Sequence, residues 1–591
     1  NIKNPPTGLY DFFRRTKEPR TLRIFVMGES SAAGYPFYYG AAFSRQLAQR
    51  LQQTFPERRV EVVNTAMAAI SSYALRDFTT EILREKPDAV LIYTGHNEYY
   101  GALGVGSSES LGRVPGFVNL YLRLQRFRVV QALRGLITRI VAATSPPAAP
   151  TGERSTLMER MVGEQRIAYG SDLERAGERQ FRENMSAILG RFQDVGVPVF
   201  VGTLASNERG QPPFISAPAT GDPAAWSRRV REAEAIAARD IAAAIAALER
   251  LVAADSVEAE ARFALARLVE ARGDTARART LYLAAKDRDQ LRFRASERLN
   301  GVLRAVAQAH GARVVETQAA LQRASPQGII GPELMTEHLH PTPEGYFVIA
   351  DAFYEALRQA RLGGEYGQAI PAVDARRERL LTPVDSLVGV YRLLQLRSVW
   401  PFQPIGVVAP YLDTLKARTP LEQIARDVFE GRVSWPEANE AQRRYFIAQG
   451  DLHNALRVAF AAIQEYPFSD GTYLAAGNVL VEQGRLADAL PYFEQAAELR
   501  PTGEAEGMIG AIHLARGDAR AALPHLERAR SLSPDNLQVQ YNLAGAYATS
   551  GRQREAMALL QAILRRNPNH VGARDLIRQL AGSSSGTGSS R

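Results

Sequence analysis

A serine with small neighbours follows the first apolar run of this chain. Residues 22–27 are apolar except for Arg23, which predicts a buried strand, and Ser30 comes next in the segment GESSAAG at 28–34. The carboxyl end of a parallel strand is the place where α/β enzymes expose a nucleophile. A serine at such a turn can instead cap the following helix. The segments downstream favour the nucleophile.

A glutamate and a histidine lie three residues apart far downstream. Residues 337–341 read EHLHP, so Glu337 precedes His340 by three positions. At this spacing a carboxylate reaches the imidazole and fixes its tautomer, and the other ring nitrogen is free to take the proton of Ser30. The two histidines of this segment are alternatively part of a metal site. Because the chain has only eight histidines and no third ligand nearby, we expect neither a metal nor a cofactor.

Donors for an oxyanion follow two other predicted strands. Residues 95–101 read GHNEYYG after a strand at 89–94, and Asn97 can aim its side-chain amide at developing negative charge. A turn asparagine is the alternative. Residues 64–72 read NTAMAAISS after a strand at 60–64, and small residues there let backbone N–H groups face the same place.

Four further residues lie beside these candidates. We expect His96 and His338 to frame the site rather than to take part in the chemistry. Tyr99 and Tyr100 either line a pocket or pack in the core, and packing is the favoured interpretation.

Strand and helix patterns alternate around the candidate residues. Residues 21–100 contain three predicted strands separated by helical patterns, and the alternation resumes at 173–203 and 312–316. Such alternation indicates a parallel sheet covered by helices on both faces. A last helix is predicted at 343–360, with Thr342 as its N-cap.

The order of these segments resembles that of the SGNH hydrolases, which belong to the GDSL esterase/lipase superfamily. The resemblance implies a nucleophilic Ser30 with His340 and Glu337 as its triad partners. It also implies an oxyanion hole formed by the side chain of Asn97 and by the backbone N–H groups of Ser30 and Ala69. The activity implied is acyl transfer from an ester to the serine.

The same resemblance implies a flavodoxin-like, three-layer α/β/α sandwich over about 21–360. Three residues depart from the family pattern, because Glu29 and Glu337 stand in place of aspartate and Ala69 in place of glycine. The oxyanion donor at Ala69 is its backbone N–H, so the replacement of glycine by alanine keeps this donor. The longer side chain of Glu337 can still reach His340.

The C-terminal part of the chain repeats with a period near 34 residues. Glycines spaced by 34, 33 and 34 positions occur at Gly450, Gly484, Gly517 and Gly551, and prolines follow the same steps. This pattern resembles the tetratricopeptide repeat, whose helical pairs stack into a solenoid because one pair alone cannot bury its apolar face. A similar unit occurs at 261–287.

These patterns predict an α/β three-layer, flavodoxin-like sandwich with a parallel sheet and helical insertions, followed by an all-α tetratricopeptide-repeat solenoid. The predicted parts are an N-terminal extension at 1–20, a hydrolase domain at 21–365 with insertions at about 102–170 and 224–308, a packed connector at 366–433, the repeats at 434–580 and a disordered tail at 581–591. The insertion at 224–308 is helical and repeat-like.

The composition excludes several classes of protein. The 591 residues contain no cysteine, which excludes disulfides and thiolate metal sites. The net charge is +9, but the stripe of basic and aromatic residues that is typical of nucleic-acid-binding proteins does not occur, so we expect no nucleic-acid partner. No apolar run approaches the roughly 18 residues of a membrane-spanning helix.

Membrane association has two candidate origins. The chain begins with Asn1 rather than methionine, so a signal or anchor segment can precede it. Residues 117–143 are amphipathic and rich in arginine, and they form either a lid or membrane-contacting helix over the site or a helix packed on the sheet, which we favour. The family resemblance suggests an enzyme of the bacterial cell envelope, either periplasmic or anchored in the membrane and facing outward.

Three functions are compatible with the sequence. The first is a serine ester hydrolase, an O-acyl or acetyl esterase, that acts on a carbohydrate or lipid ester and binds a protein partner through its repeats. The second is an O-acyltransferase that uses the same triad on cell-envelope polysaccharide. The third is a catalytically inactive repeat-protein scaffold, since a fold alone does not establish a function.

Overall fold

Five strands pair in parallel, as the alternation of strand and helix predicts. They are β1 (Thr21–Gly28), β2 (Arg59–Asn64), β3 (Ala89–Tyr93), β4 (Val199–Gly202) and β5 (Arg313–Val315). Their order in the sheet is β2-β1-β3-β4-β5. In this flavodoxin-like order the chain reverses its direction across the sheet between β1 and β3, which leaves a crevice at the carboxyl ends of these two strands.

The structure is a computed structural model that describes residues 11–108, 158, 161–412 and 415–585. The chain divides into two compact units, residues 1–430 and 431–591, which we call the sheet unit and the repeat unit. The amphipathic stretch predicted at 117–143 lies outside the described residues. Every helix among the described residues is too short or too polar to cross a bilayer.

The sheet unit contains many helices, and those that cover the sheet form two groups. Those described are α1 (Ser30–Ala33), α2 (Phe43–Thr54), α3 (Ser72–Arg84), α4 (Asp172–Asp194), α5 (Pro223–Ala235), α6 (Ile241–Ala254), α7 (Glu260–Ala271), α8 (Thr275–Arg288), α9 (Glu297–Ala309), α10 (Thr317–Ala324), α11 (Pro343–Gln359), α12 (Ala372–Arg377), α13 (Pro383–Arg397) and α14 (Pro420–Phe429). Helix α2 packs against α11, whereas α3 and α9 pack against α4. Right-handed crossovers between parallel strands place these two groups on opposite faces of the sheet.

Local sequence explains the elements nearest the crevice. All residues of β1 and β3 are buried, as expected of strands that are covered on both faces. The side-chain oxygen of Thr342 accepts the N–H of Gly345 at 3.1 Å, and Pro343 follows at the first helical position. The predicted cap of α11 is therefore confirmed, and it fixes the start of that helix three residues after His340.

The four helices α5 to α8 form an insertion after β4 with an apolar cluster of their own. Its buried members include Val230, Leu248, Leu265 and Tyr282. The prediction of an insertion at 224–308 is wrong at its end, because α9 covers the sheet between β4 and β5 and buries Leu299 and Leu303 in the main core. A parallel connection needs such a covering helix.

The segment predicted as a connector at 366–433 contacts the rest of the sheet unit through α13 and the residues just before that helix. The ring of Phe37 lies so close to Gly389 of α13 that a Cβ there would clash with it. Gly40 approaches the backbone of Leu380 in the same way. The compact unit that contains the sheet extends to residue 430.

Helical hairpins make up the repeat unit. Its described helices are α15 (Trp435–Ala448), α16 (Leu452–Glu465), α17 (Asp470–Glu482), α18 (Leu486–Leu499), α19 (Gly503–Ala515), α20 (Ala519–Leu532), α21 (Leu537–Thr549), α22 (Gln553–Arg566) and α23 (Val571–Ser585). The regularly spaced glycines end the first helix of each hairpin with φ of 71°, 73°, 80° and 78° at Gly450, Gly484, Gly517 and Gly551. Glycine adopts this left-handed conformation without the strain that a Cβ brings.

The last helix runs further than predicted. The sequence predicts a disordered tail at 581–591, but α23 continues to Ser585. Each residue added to an existing helix gains one backbone hydrogen bond, so a helix can extend past its last apolar residue into glycine and serine.

We expect Gly517→Ala to lower the free energy of unfolding of the repeat unit by about 1 kcal/mol, because alanine is strained in the left-handed region. Gly471→Ala in α17 is the matched control, since a Cβ there meets only Ser469 Oγ at 3.7 Å. Alanine in that helix should be neutral or stabilising. Urea unfolding of the full chain, followed by circular dichroism, measures both. Equal destabilisation by the two variants would contradict the role given to the turn.

Candidate active site

The carboxyl ends of β1 and β3 meet where the sheet order reverses. Gly28 ends β1 and lies opposite Tyr93 at the end of β3. A Cβ at Gly28 would clash with the carbonyl oxygen of Tyr93, so the approach of these two strands requires glycine. Ser30 follows two residues later and begins α1. It therefore lies at the crevice in which open α/β sheets bind their ligands.

A chain of hydrogen bonds connects Ser30, His340 and Glu337. Ser30 Oγ lies 2.8 Å from His340 Nε2, and Nδ1 of the same ring lies 2.5 Å from Glu337 Oε1. Because a carboxylate only accepts hydrogen bonds, we assign the ring proton to Nδ1, and Nε2 then accepts the hydrogen of the Ser30 hydroxyl. The structure brings these three predicted residues together although the serine and the histidine are 310 positions apart.

The loop before α11 holds the histidine and the glutamate in place. The backbone N–H groups of His338 and His340 donate to the Glu337 carboxylate at 2.8 and 2.7 Å. The N–H and the hydroxyl of Thr336 donate to the His340 carbonyl at 2.8 and 2.9 Å. The loop curls around the carboxylate and so accommodates a side chain one methylene longer than aspartate.

Burial sets the charge of the imidazole. It lowers the pKa of His340 to about 3, so the ring is neutral at neutral pH and can accept a proton. The side chain of Glu337 is fully buried beside the ring, and its negative charge stabilises the imidazolium that would form. The ring of Tyr35 lies 4.6 Å from that of His340, centroid to centroid, and supports it from one side.

The loop after β2 is held beside the end of β1. Met67 N–H donates to the carbonyl of Gly28 at 3.2 Å. Further along this loop, Ala69 has φ of 65°, and its carbonyl accepts the N–H of Ala102 at 3.2 Å. This is a left-handed conformation that glycine adopts readily and alanine adopts at a cost of about 1 to 2 kcal/mol. The family resemblance implies glycine at this position, and the backbone is shaped accordingly.

The loop after β3 carries Asn97. This residue is 7% exposed, and its backbone N–H donates to Glu29 Oε2 at 2.9 Å. The N–H of Gly101 donates to the Asn97 carbonyl at 2.6 Å and closes a turn. The asparagine is therefore tied through Glu29 to the segment that contains Ser30.

His96 and His338 are buried close to the triad. Nδ1 of His96 accepts the N–H of Ala295 at 3.1 Å, and burial lowers the pKa of His96 to about 3. Burial also lowers the pKa of His338, whose ring lies 5.4, 5.9 and 5.6 Å, centroid to centroid, from Phe214, Phe293 and Phe402. Burial thus disfavours the charged form of both rings, and their framing role stays a prediction.

Tyr99 and Tyr100 lie in the core. They are 1% and 0% exposed. The ring of Tyr99 fills the space beside Gly177 of α4, where a Cβ would clash with it. The hydroxyl of Tyr100 accepts the N–H of Arg292 at 3.3 Å. Of the two interpretations, burial on all sides supports packing, which the sequence favours, over a role as pocket walls.

Two buried glutamates beside the site, Glu29 and Glu98, have no role in the sequence-based prediction. Glu98 accepts the N–H and the hydroxyl of Ser72 at 3.1 and 2.8 Å and the amide of Gln180 at 2.5 Å. Burial raises the pKa of Glu98 to about 8 and that of Glu29 to about 7. Glu29 directly precedes Ser30 and Glu98 directly follows Asn97. These positions next to predicted site residues are the signal in the sequence that points to them.

We expect Glu98 to make the folded protein less stable as the pH rises. Its pKa is about 8 in the folded chain against an ordinary value of 4.5, so its contribution to stability is complete below about pH 4.5 and is lost as the pH rises through about 8. Glu98→Gln should therefore reduce the fall in Tm between about pH 5 and about pH 8. The control is Glu57→Gln, whose side chain is 60% exposed. A Glu98→Gln protein with the wild-type slope would contradict this assignment.

Family models of the tetratricopeptide repeat match residues 234–291, 434–504 and 513–580. The predicted repeats are confirmed, and the first match confirms the repeat-like character of the insertion after β4. A comparison with curated proteins returns no match.

Three solved structures are distantly similar to parts of the chain. MamA from Desulfovibrio magneticus RS-1, from its residue 41 to its end, is 19% identical with a TM-score of 0.24 over 25% of this chain and 84% of that one. LAE5, an α/β hydrolase from the metagenome of Lake Arreo in Spain, is 14% identical with a TM-score of 0.26 over 56% and 94%. A lipase/acylhydrolase from Enterococcus faecalis is 15% identical with a TM-score of 0.25 over 57% and 97%. TM-scores this low say nothing about the chemistry of the sheet unit. The matches to family models show that the chain contains tetratricopeptide repeats.

Proposed function

We propose that the sheet unit is a serine-dependent ester hydrolase that acts on O-acyl groups of a carbohydrate or lipid. The observation that carries this proposal is the hydrogen-bonded series from Ser30 Oγ through the ring of His340 to the carboxylate of Glu337, at 2.8 and 2.5 Å. A serine alone is a weak nucleophile, and this series is the arrangement that activates it. The resemblance of the surrounding segments to SGNH hydrolases supports the same conclusion.

The first half of the reaction forms an acyl-enzyme. Ser30 Oγ attacks the ester carbonyl carbon while its proton passes to His340 Nε2. The carbonyl oxygen becomes an oxyanion, for which the backbone N–H groups of Ser30 and Ala69 and the side chain of Asn97 are the donors we propose. His340 then gives its proton to the leaving alkoxide as the bond from carbon to that oxygen breaks. The acyl group remains on Ser30.

The second half releases the acyl group. A water molecule gives a proton to His340 Nε2 and attacks the acyl carbon, and the Ser30 oxygen leaves and recovers the proton. Glu337 stabilises the imidazolium in both halves. A sugar hydroxyl in place of water gives an O-acyltransferase with the same residues, so the acceptor alone separates hydrolysis from transfer.

Two departures from the SGNH pattern are compatible with an active site. Glu337 reaches the imidazole at 2.5 Å despite its extra methylene. Ala69 has a φ of 65°, which lies in the left-handed region that glycine favours. The backbone conformation is therefore one that glycine would also adopt, and the replacement of glycine by alanine does not redirect this N–H group. These two features support an active enzyme over a degenerate one.

The repeats suggest a protein partner, because tetratricopeptide repeats are protein-interaction modules. We place this partner on the repeat segments and the ester chemistry on the sheet unit. The bacterial cell envelope, which the family resemblance suggests, is the location we propose for both.

We expect Ser30→Ala to reduce turnover of p-nitrophenyl acetate by about 10³-fold or more, because the attacking oxygen is lost. Ser31→Ala is the matched control, since Ser31 is the adjacent serine and donates to the Leu339 carbonyl at 3.5 Å. It should keep most of the activity. The two variants losing activity equally, or neither losing it, would contradict the assignment.

A saccharide acceptor added to the same assay separates hydrolysis from transfer. Turnover that rises with the acceptor and yields acylated saccharide would favour the acyltransferase. If Ser30→Ala instead keeps all cellular function, the repeats carry the biology and the scaffold interpretation holds.

A further inference from the structure

The carboxylate of Glu29, directly before Ser30, is bound to the loop that carries Asn97. Oε1 accepts the hydroxyl of Thr94 at 2.8 Å and the N–H of Gly95 at 2.9 Å. Oε2 accepts the N–H of Asn97 at 2.9 Å. Glu29 is 1% exposed. Three donors from one short segment therefore fix that segment relative to the backbone of Glu29, and hydrogen bonds to an ionised acceptor are the strong ones.

This contact joins the two segments whose separation matters most for the proposed chemistry. Ser30 carries the attacking oxygen, and the side chain of Asn97 carries a candidate oxyanion donor. Such donors stabilise an oxyanion best when they are fixed before the charge develops, because no reorganisation is then required. A misplacement of about 1 Å can reduce a rate by about 10²-fold.

We propose that Glu29 is a positioning residue for the oxyanion hole, whose carboxylate holds the main chain of Asn97 so that the asparagine amide faces the oxyanion formed at Ser30. The proposal rests on the proposed function, because ester chemistry at Ser30 is what creates that oxyanion. Glu29 acts through Asn97 and does not touch the substrate, so its loss should lower kcat and leave KM nearly unchanged.

The ionised form of Glu29 is the form that this role requires. Each of its oxygens accepts one backbone N–H, and a proton on either oxygen would occupy a lone pair and remove the negative charge that strengthens these hydrogen bonds. Burial raises the pKa of Glu29 to about 7 against the opposing effect of its hydrogen bonds. Tyr93 on β3 and Glu98 on the same loop are the titratable groups that interact with it electrostatically. Activity should therefore fall as the pH drops below about 7.

A glutamate in the insertion after β4 offers a matched control. Glu258 is 1% exposed and accepts the hydroxyl of Ser216 at 2.6 Å and the N–H groups of Glu260 and Ala261 at 2.5 and 2.9 Å. Like Glu29, it receives one hydroxyl and two backbone N–H groups. Its two backbone partners lie at the start of α7, and neither belongs to the segments of Ser30, Asn97 or His340, so Glu258→Gln should change stability and leave kcat unchanged.

The first test compares variants of the full chain with p-nitrophenyl acetate as the probe. We expect Glu29→Gln to lower kcat by about 10- to 100-fold, somewhat less than the loss of an entire oxyanion donor. The fall in activity below about pH 7 should disappear from this variant, because an amide does not titrate there. Glu29→Asp keeps the charge and should recover part of kcat and the pH dependence. Unchanged kcat in Glu29→Gln, or an equal loss in Glu258→Gln, would overturn the proposal.

A double-mutant cycle tests whether Glu29 acts through Asn97. In a chain that already carries Asn97→Ala, Glu29→Gln should lower kcat by less than about 3-fold, because the donor that Glu29 positions is gone and the two effects are not additive. Losses that multiply would show that Glu29 acts by another route and would overturn the proposal.

Hydrogen exchange supplies a readout that does not require turnover. In Glu29→Gln the backbone amides of Gly95 and Asn97 should exchange at least about 10-fold faster, while Glu258→Gln leaves them unchanged. Equal turnover by Ser30→Ala and the wild type would contradict the proposed ester hydrolysis at Ser30. The exchange rates would still show whether the Glu29 carboxylate holds the loop after β3. Exchange that is unchanged in Glu29→Gln would overturn the positioning role.

Discussion

The hydrogen bond between the Ser30 hydroxyl and His340 Nε2 joins parts of the chain that are 310 positions apart. Two separate supports bring its ends together. Parallel pairing of β1 with β3 carries the serine to the crevice, and Gly28 permits the close approach of those strands. The Thr342 cap of α11 fixes the loop that carries the histidine. The geometry at Ser30 therefore depends on the sheet and on the last helix that covers it.

Buried carboxylates hold the rest of the site. Glu29 connects the end of β1 to the loop after β3, Glu98 connects that loop to the start of α3, and Glu337 orients the imidazole. Removing a carboxylate from water is unfavourable unless donors replace the water, and each of these three receives several. Burial nevertheless raises the pKa of Glu29 and of Glu98, against the opposing effect of these hydrogen bonds. The site thus holds its geometry at some expense of stability.

Residue types in short segments predicted the parallel sheet, the helical repeats and the residues that form the hydrogen-bonded series at Ser30. Contacts between distant segments could not be predicted in this way, because periodicity reports only which face of an element is buried. The bond from Ala295 to His96 spans 199 positions, and no local pattern indicates it. Helix α9 was assigned to the insertion since its alanine- and arginine-rich sequence resembles that of α5 to α8. The role of Glu29 depends on its hydrogen bonds to Thr94, Gly95 and Asn97, and no local pattern around Glu29 indicates them.

The claim that His340 activates Ser30 is tested most directly by labelling with a fluorophosphonate and mapping the label by mass spectrometry. The structure predicts that the label attaches to Ser30 alone, and that His340→Ala slows the labelling by about 10²- to 10⁴-fold, the range expected for loss of a general base. A label on another serine, or an equal labelling rate in His340→Ala, would contradict the account.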